Sequence, residues 1–199
     1  TGDDAFVDVA GWGSKKIWNK NNVRFLIKEN NIPETITNVS SYPLSLPKTY
    51  SFQQKLLIKN TKAFILAGGS TLCADINPQV AKALSLKTKQ EKGDLYKLGA
   101  IGVSLGPFES VKDEMSVQNY LKHMDFLVLR DKRSFDYANS LSLPYTPVEG
   151  FDLAALLPQM YSDIKKNLRV DKKVIAISIC NYESYKNKGD LANEKRRLQ

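Results

Sequence analysis

Short apolar runs alternate with longer amphipathic stretches along this chain. Candidate strands lie at Val23–Ile27, Ala63–Leu66, Ala100–Val103, Phe126–Leu129, Tyr145–Val148 and Val174–Ile179. Most are continuously apolar, as expected of parallel strands covered on both faces. Phe6, Val9, Ala10, Gly13 and Ile17 recur at helical spacing, although Gly11 and Gly13 weaken that stretch as a helix. Val117, Tyr120, Leu121 and Met124 form a cleaner helical stripe just before Phe126. Strands separated by helices imply an α/β fold with a doubly wound, mostly parallel sheet. Thr35–Pro47 is rich in Ser, Thr, Asn and Pro and reads as a loop.

The expected organisation is a domain over residues 1–160, a linker over 161–173 and the start of a second, truncated domain over 174–199. The linker is polar and Lys-rich and follows Pro158. One strand and part of a helix cannot bury a core alone, so the tail reads as the opening of a further domain.

Composition narrows the class. Hydrophobic residues make up 42% and charged residues 25% of the 199, which excludes a disordered chain. No apolar run approaches the roughly 20 residues needed to cross a bilayer. With 29 Lys and Arg against 21 Asp and Glu, the net charge of +8 favours anionic partners. The basic residues scatter, apart from Lys165, Lys166, Arg169, Lys172 and Lys173 and then Lys195 to Arg197. Neither run interleaves with aromatics, which argues against a nucleic-acid partner. A phosphorylated small molecule or an anionic membrane surface fits at least as well. Cys73 and Cys180 stand far apart beside apolar runs, without a metal or disulfide pattern. Buried reduced thiols in a cytoplasmic, reducing compartment are expected. The chain opens at Thr1 without an initiator Met or a signal-peptide pattern. Residues missing upstream, or numbering that begins inside a longer protein, would account for this.

Candidate chemistry follows from strand ends, because open α/β sheets bind ligands beyond the carboxyl ends of their strands. Ala63–Leu66 leads into Ala67-Gly68-Gly69-Ser70-Thr71, where paired glycines allow close backbone approach to a ligand or simply a tight turn. Ala100–Val103 leads into Ser104-Leu105-Gly106-Pro107, a stiff loop that could wall a cleft. Phe126–Leu129 leads into Arg130 and then Asp131, a natural helix N-cap. Arg130 beside free helical amides suits a phosphate or carboxylate, or else a salt bridge to a neighbouring carboxylate. Lys132 and Arg133 are expected in solvent. Gly2-Asp3-Asp4 precedes the first helical stripe, with Asp4 the expected cap and Asp3 a hydroxyl ligand or base. Asp152, after Val148-Glu149-Gly150-Phe151, either faces the cleft or caps a helix at Leu153. His123, the only histidine, lies in a helix that leads into a strand and is a poor catalytic candidate. No cofactor and no metal is implied.

Taken in order, these segments resemble the polysaccharide pyruvyl transferase family. The matching pieces are Gly2-Asp3-Asp4-Ala5, Phe64-Ile65-Leu66-Ala67-Gly68-Gly69-Ser70, Ile101-Gly102-Val103-Ser104-Leu105-Gly106-Pro107, Val128-Leu129-Arg130-Asp131-Lys132-Arg133-Ser134 and Gly150-Phe151-Asp152-Leu153. Their order and spacing carry the resemblance, which runs from residue 1 to about 180. It implies one Rossmann-like half of a two-domain architecture like that of the B-type glycosyltransferases, with the strand before Gly2 missing. It also implies transfer of a pyruvyl group from phosphoenolpyruvate to sugar hydroxyls as a ketal, on a sugar or lipid-linked glycan acceptor in polysaccharide or cell-surface glycan synthesis. A peripheral position at the inner membrane face would suit such an acceptor. From the strand ends and the start of the first helix, the substrate-binding candidates are Gly2, Gly68, Gly69, Ser70, Gly106, Pro107, Arg130 and Asp152, and Asp3 is the catalytic candidate. The family's C-terminal half contributes an Arg and a His to the donor site; no positions here match them, so the chain alone is expected to be inactive. A nucleotide-sugar glycosyltransferase and a non-catalytic carbohydrate-binding module are the rival readings.

Overall fold

The computed structural model describes residues 2–20, 23–26, 40–41 and 49–162. The expected strand Val174–Ile179, residues 163–173 of the expected linker 161–173 and Cys180 lie outside the described residues. The elements are α1 (Gly2–Lys16), β1 (Arg24–Phe25), β2 (Ser40–Ser41), α2 (Tyr50–Asn60), β3 (Ala63–Ala67), α3 (Val80–Lys92), β4 (Lys97–Val103), α4 (Val111–Lys122), β5 (Phe126–Leu129), α5 (Lys132–Ser140), β6 (Val148–Glu149) and α6 (Leu157–Met160). A 3-10 turn, Leu153–Leu156, runs into α6.

β3 to β6 form a four-stranded parallel sheet in sequence order. The fold is α/β with helices flanking a parallel sheet, consistent with a Rossmann-like fold. Right-handed crossovers in a sheet of this order put α3, α4 and α5 on one face. The buried cluster agrees: Leu98 and Ala100 of β4 and Leu127 and Leu129 of β5 pack with Val117, Tyr120 and Leu121 of α4 and Ala138 of α5. α4 is anchored at its start by Ser110, whose hydroxyl accepts from the Asp113 amide at 3.1 Å. Asp113 and Glu114 in its first turn and Lys122 in its last complement the helix dipole.

β4 carries an irregularity that sets the geometry of the site. Its pairing with β5 slips between Ile101 and Val103, where Gly102 has φ +63°. The extra residue returns Val103 and Leu105 to the same buried cluster as Ala100. Gly102 therefore faces the other way, where an added Cβ would lie 2.7 Å from Leu153 Cγ. That seats the Leu153–Leu156 turn against the opposite face of the sheet. α1 packs beside the same turn and against β3.

Several expectations shift. The first helix begins at Gly2, so Asp3 and Asp4 both lie within its first turn and neither is the residue preceding it. Their negative charges still sit at the positive end of the dipole. β4 begins three residues before the expected Ala100, at Lys97, and β6 lies at Val148–Glu149 rather than at Tyr145–Val148. Tyr145 instead donates its hydroxyl to the Leu121 carbonyl at 3.0 Å. Arg24–Phe25, inside the expected Val23–Ile27, pairs in parallel with Ser40–Ser41, a short strand within the segment expected as a loop. Cys73 is half-buried rather than fully enclosed. No helix among the described residues is long and apolar enough to cross a membrane.

Candidate functional site

The four strand ends are laced together beyond the sheet proper. The Gly68 amide donates to the Ile101 carbonyl at 2.8 Å, and the Ser104 amide to the Gly69 carbonyl at 3.0 Å. The Arg130 amide donates to Val103 at 3.0 Å, and the Gly150 amide to Leu129 at 2.8 Å. These bonds fix the loops after β3, β4, β5 and β6 on one rim. Gly68 and Gly69 hold φ of +73° and +78°, a region that disfavours any side chain. At Gly68 the close approach is also steric: an added Cβ would sit 2.4 Å from Cγ of Phe6.

Arg130 joins three of these loops. Its Nε donates to Ser104 Oγ at 2.7 Å, Nη1 to Asp152 Oδ2 at 2.7 Å, and Nη2 to Ser70 Oγ at 3.1 Å. Its guanidinium carbon stands 5.9 Å from the centroid of the Phe6 ring, within cation–π range. Asp152 caps the turn at Leu153, and its two oxygens divide the work. Oδ1 accepts the Ala154 amide at 2.9 Å and caps the 3-10 turn, while Oδ2 takes Arg130. The Arg130 side chain is 22% exposed and that of Asp152 is 41% exposed, so this ion pair faces outward from the rim.

Asp131 caps α5 as expected, accepting the Ser134 amide and hydroxyl, each at 2.9 Å. Ser134 Oγ in turn accepts the Leu105 amide at 2.8 Å, tying the β4 loop to α5. Burial would raise the Asp131 pKa, but hydrogen bonds from the Ser104 and Ser134 hydroxyls and the Ser134 amide outweigh it and hold the carboxyl below its usual range. Ser104 thus connects a cation to an anion, and the guanidinium is flanked by two carboxylates.

Gly68, Gly69, Ser70, Arg130 and Asp152 are brought together. Gly106, with φ +64°, precedes a cis bond to Pro107. That segment lines a separate cavity of about 170 Å³ with Phe108, Arg133 and Tyr137. Gly2 and Asp3 start α1, and Asp3 is exposed. Asp3 lies three residues before Phe6, hence on the same side of the helix as the ring that covers Gly68. Lys132 and Arg133 are exposed, Lys132 pairing with Asp136 at 2.5 Å. His123 follows α4 at the opposite edge of the sheet, its Nδ1 2.8 Å from the Asn119 carbonyl. Sequence reasoning missed three supporting residues. Phe6 was read only as part of a helical stripe. Ser104 and Gly102 stood in a matching segment, but only the bulge shows why glycine is needed at 102.

A family model described as polysaccharide pyruvyl transferase matches residues 8–196. No curated protein and no solved structure matches the chain. The match spans nearly the whole sequence and includes the glycine loop, Arg130 and Asp152; the chain belongs to the polysaccharide pyruvyl transferase family.

Proposed function

We propose that the rim around Arg130 receives the sugar acceptor in a transfer of pyruvyl from phosphoenolpyruvate. The observation that carries this reading is the neutralised state of Arg130. Its guanidinium is bonded to Asp152 and lies one serine from Asp131. A cation so balanced has little attraction left for a multiply charged donor, whereas exposed carboxylate, guanidinium and serine groups suit hydroxyl partners.

The reaction begins with protonation of the donor's methylene carbon, which leaves an oxocarbenium-like centre at the adjacent carbon. A sugar hydroxyl attacks that centre and loses its proton to a base. Phosphate leaves with its bonding electrons, and a second hydroxyl closes the ketal as its proton passes to the departing phosphate. Diol and phosphoenolpyruvate thus become ketal and phosphate, with no redox change. Asp3, exposed on the Phe6 side of α1, is the candidate base. In this reading residues 1–160 form one Rossmann-like half of a two-domain cleft, 161–173 the linker and 174–199 the start of the other half. The opposing half supplies the proton donor and cations for phosphoenolpyruvate and excludes water. The acceptor is a sugar or a lipid-linked glycan, met in the cytoplasm or at the anionic inner face of the membrane.

The test is to incubate the complete protein, with both halves of the cleft, with phosphoenolpyruvate and a panel of sugars, following phosphate release and product mass. The expected result is sugar-dependent phosphate release, with a product heavier by pyruvate less one water. Nucleotide release from a nucleotide sugar, without phosphate from phosphoenolpyruvate, would replace this reading with glycosyl transfer.

A further inference from the structure

Beside the glycine loop lies an open cleft of about 480 Å³. Its walls come from the residues after β3 and from the starts of α3 and α4, and include Thr71, Asp75, Gln79, Lys82 and Asp113. Ser70 belongs to both places: it lines the cleft, and its hydroxyl accepts from Arg130. The cleft is therefore continuous with the rim.

Its polar groups are neither saturated nor strongly charged overall. The Lys82 ammonium donates to the Thr71 carbonyl and to Gln79 Oε1, which leaves one of its three protons. Burial pushes the Lys82 pKa down, against an opposing influence from Cys73. Thr71 Oγ1 is buried without a hydrogen-bond partner, although its residue lines the cleft. That oxygen is closed off from the cleft, so the polar contact the cleft offers falls to Lys82. The two carboxylates are already engaged. Asp75 pairs with Lys112 at 2.8 Å and accepts from Ser116 at 2.7 Å. Asp113 accepts from the Asp75 amide at 2.7 Å and from Ser110 at 2.6 Å. Lys82 and Lys112 balance Asp75 and Asp113, so no net charge remains to attract a phosphate. Ala74 and Pro78 add apolar surface suited to the C–H face of a ring.

We infer that this cleft is a binding subsite for a neutral sugar unit of the acceptor, next to the unit that reacts on the rim. The inference rests on the acceptor reading above and adds that the preferred acceptor has at least two sugar units. Lys82 donates its remaining proton to a sugar oxygen, and Ala74 and Pro78 pack against the C–H face of the ring.

Two measurements decide it. The first compares turnover of glucose and galactose with that of cellobiose and lactose, in the native protein and in Ala74→Phe and Lys82→Gln. Ala74 is exposed and lines the cleft, so a phenyl group there fills it without removing a polar contact. The ratio of kcat/KM for the favoured disaccharide to that for its monosaccharide should fall about tenfold in each variant, the effect of losing one good contact. An unchanged ratio overturns the subsite. The second measurement uses the native protein alone. Cys73 is half-buried and lines the cleft, so its alkylation, followed by peptide mass spectrometry, reports occupancy. A disaccharide at roughly ten times its Kd should slow that alkylation about tenfold. Protection without any pyruvyl transfer would support the subsite while rejecting the proposed reaction. Transfer to disaccharides without protection of Cys73 would do the reverse.

Discussion

The sheet carries an ion cluster at each end, and the two are built differently. At the amino edge, Asp125 accepts Lys89 at 2.9 Å and Lys97 at 3.1 Å, while its other oxygen accepts the Leu98 backbone amide at 2.8 Å. The Asp125 amide also donates to the Leu98 carbonyl at 2.7 Å. This cluster clasps the starts of β4 and β5 through main chain. At the carboxyl rim, among the described residues, the Arg130 side chain hydrogen-bonds only to side chains, those of Ser70, Ser104 and Asp152, beside the Phe6 ring. Partners of that kind can exchange for a ligand without unpicking the sheet. The contrast separates a fastening from a candidate site, and each end predicts its own response to mutation.

The largest effect on stability is expected at the amino edge. Breaking a buried pair costs about 3–5 kcal/mol. With the Asp125 side chain 18% exposed and that of Lys89 12% exposed, we expect Asp125→Ala to cost about 3 kcal/mol. The urea midpoint should fall while turnover per folded molecule stays the same. Acid should reproduce part of this loss. Burial would raise the Asp125 pKa, but the Leu98 amide, Lys89 and Lys97 outweigh it and keep the group below its usual value. A depressed folded pKa gives stability that is present above the unfolded value of about 3.9 and is lost as pH falls through the folded one. Urea midpoints between about pH 6 and pH 2 should decline, and Asp125→Asn should flatten that decline. An equally steep decline in the variant would remove Asp125 from the account.

At the rim the expected loss is in activity. Arg130→Ala removes charge-assisted contacts worth about 1.5–3 kcal/mol, which lowers kcat/KM for pyruvyl transfer by one to two orders of magnitude. The melting temperature should move little, because no backbone group loses a partner. A large drop in melting temperature with normal kinetics would make Arg130 a second fastening and erase the contrast.

How much of this was legible in the chain depends on what faces what. β5 was readable in full because all four residues are apolar. β4 was read short because Lys97 is exposed and Gly99 lies under the Phe126 ring, so neither looks like a core residue. α3 showed no apolar stripe because its buried positions are Ser85 and Thr88, the former bonded to Tyr120 at 2.9 Å. With α3 unseen, Lys82 and its cleft had no context. Arg130 and Asp152 were readable as strand-end residues. Their pairing was not, since it depends on the Gly102 bulge that seats the Asp152 loop.

Within the rim, the two adjacent glycines should respond unequally. Both have left-handed backbone, so alanine at either costs about 1–2 kcal/mol in strain. Gly69 has room, its nearest foreign atom being Thr71 Cγ2 at 3.5 Å from an added Cβ. At Gly68 the Phe6 ring must move, adding about 1–3 kcal/mol of overpacking. Because Phe6 also lies beside Arg130, Gly68→Ala should lose transfer activity that Gly69→Ala keeps. Urea titration and steady-state kinetics on the two variants read this difference, and equal behaviour would show that Phe6 gives way freely.

The smallest effect belongs to His123, and it is the most exacting check on which edge carries chemistry. A lone histidine invites a catalytic role, since its ordinary pKa lies near neutrality. Its placement opposes that. It caps α4 just before β5 begins, so in a parallel sheet it lies at the edge opposite Arg130. Its ring is held locally, with Nδ1 2.8 Å from Asn119 O and Nε2 3.3 Å from Gln90 Nε2. Neither partner is a charged group or a rim residue. His123→Gln should therefore change kcat and KM by less than about twofold and stability by less than about 0.5 kcal/mol, as for a surface substitution. The pH profile of kcat should keep its shape. A tenfold loss of kcat with an unchanged melting temperature, or a profile that loses a limb, would place a proton-transfer group at the amino edge and require the site to be sought there instead of around Arg130.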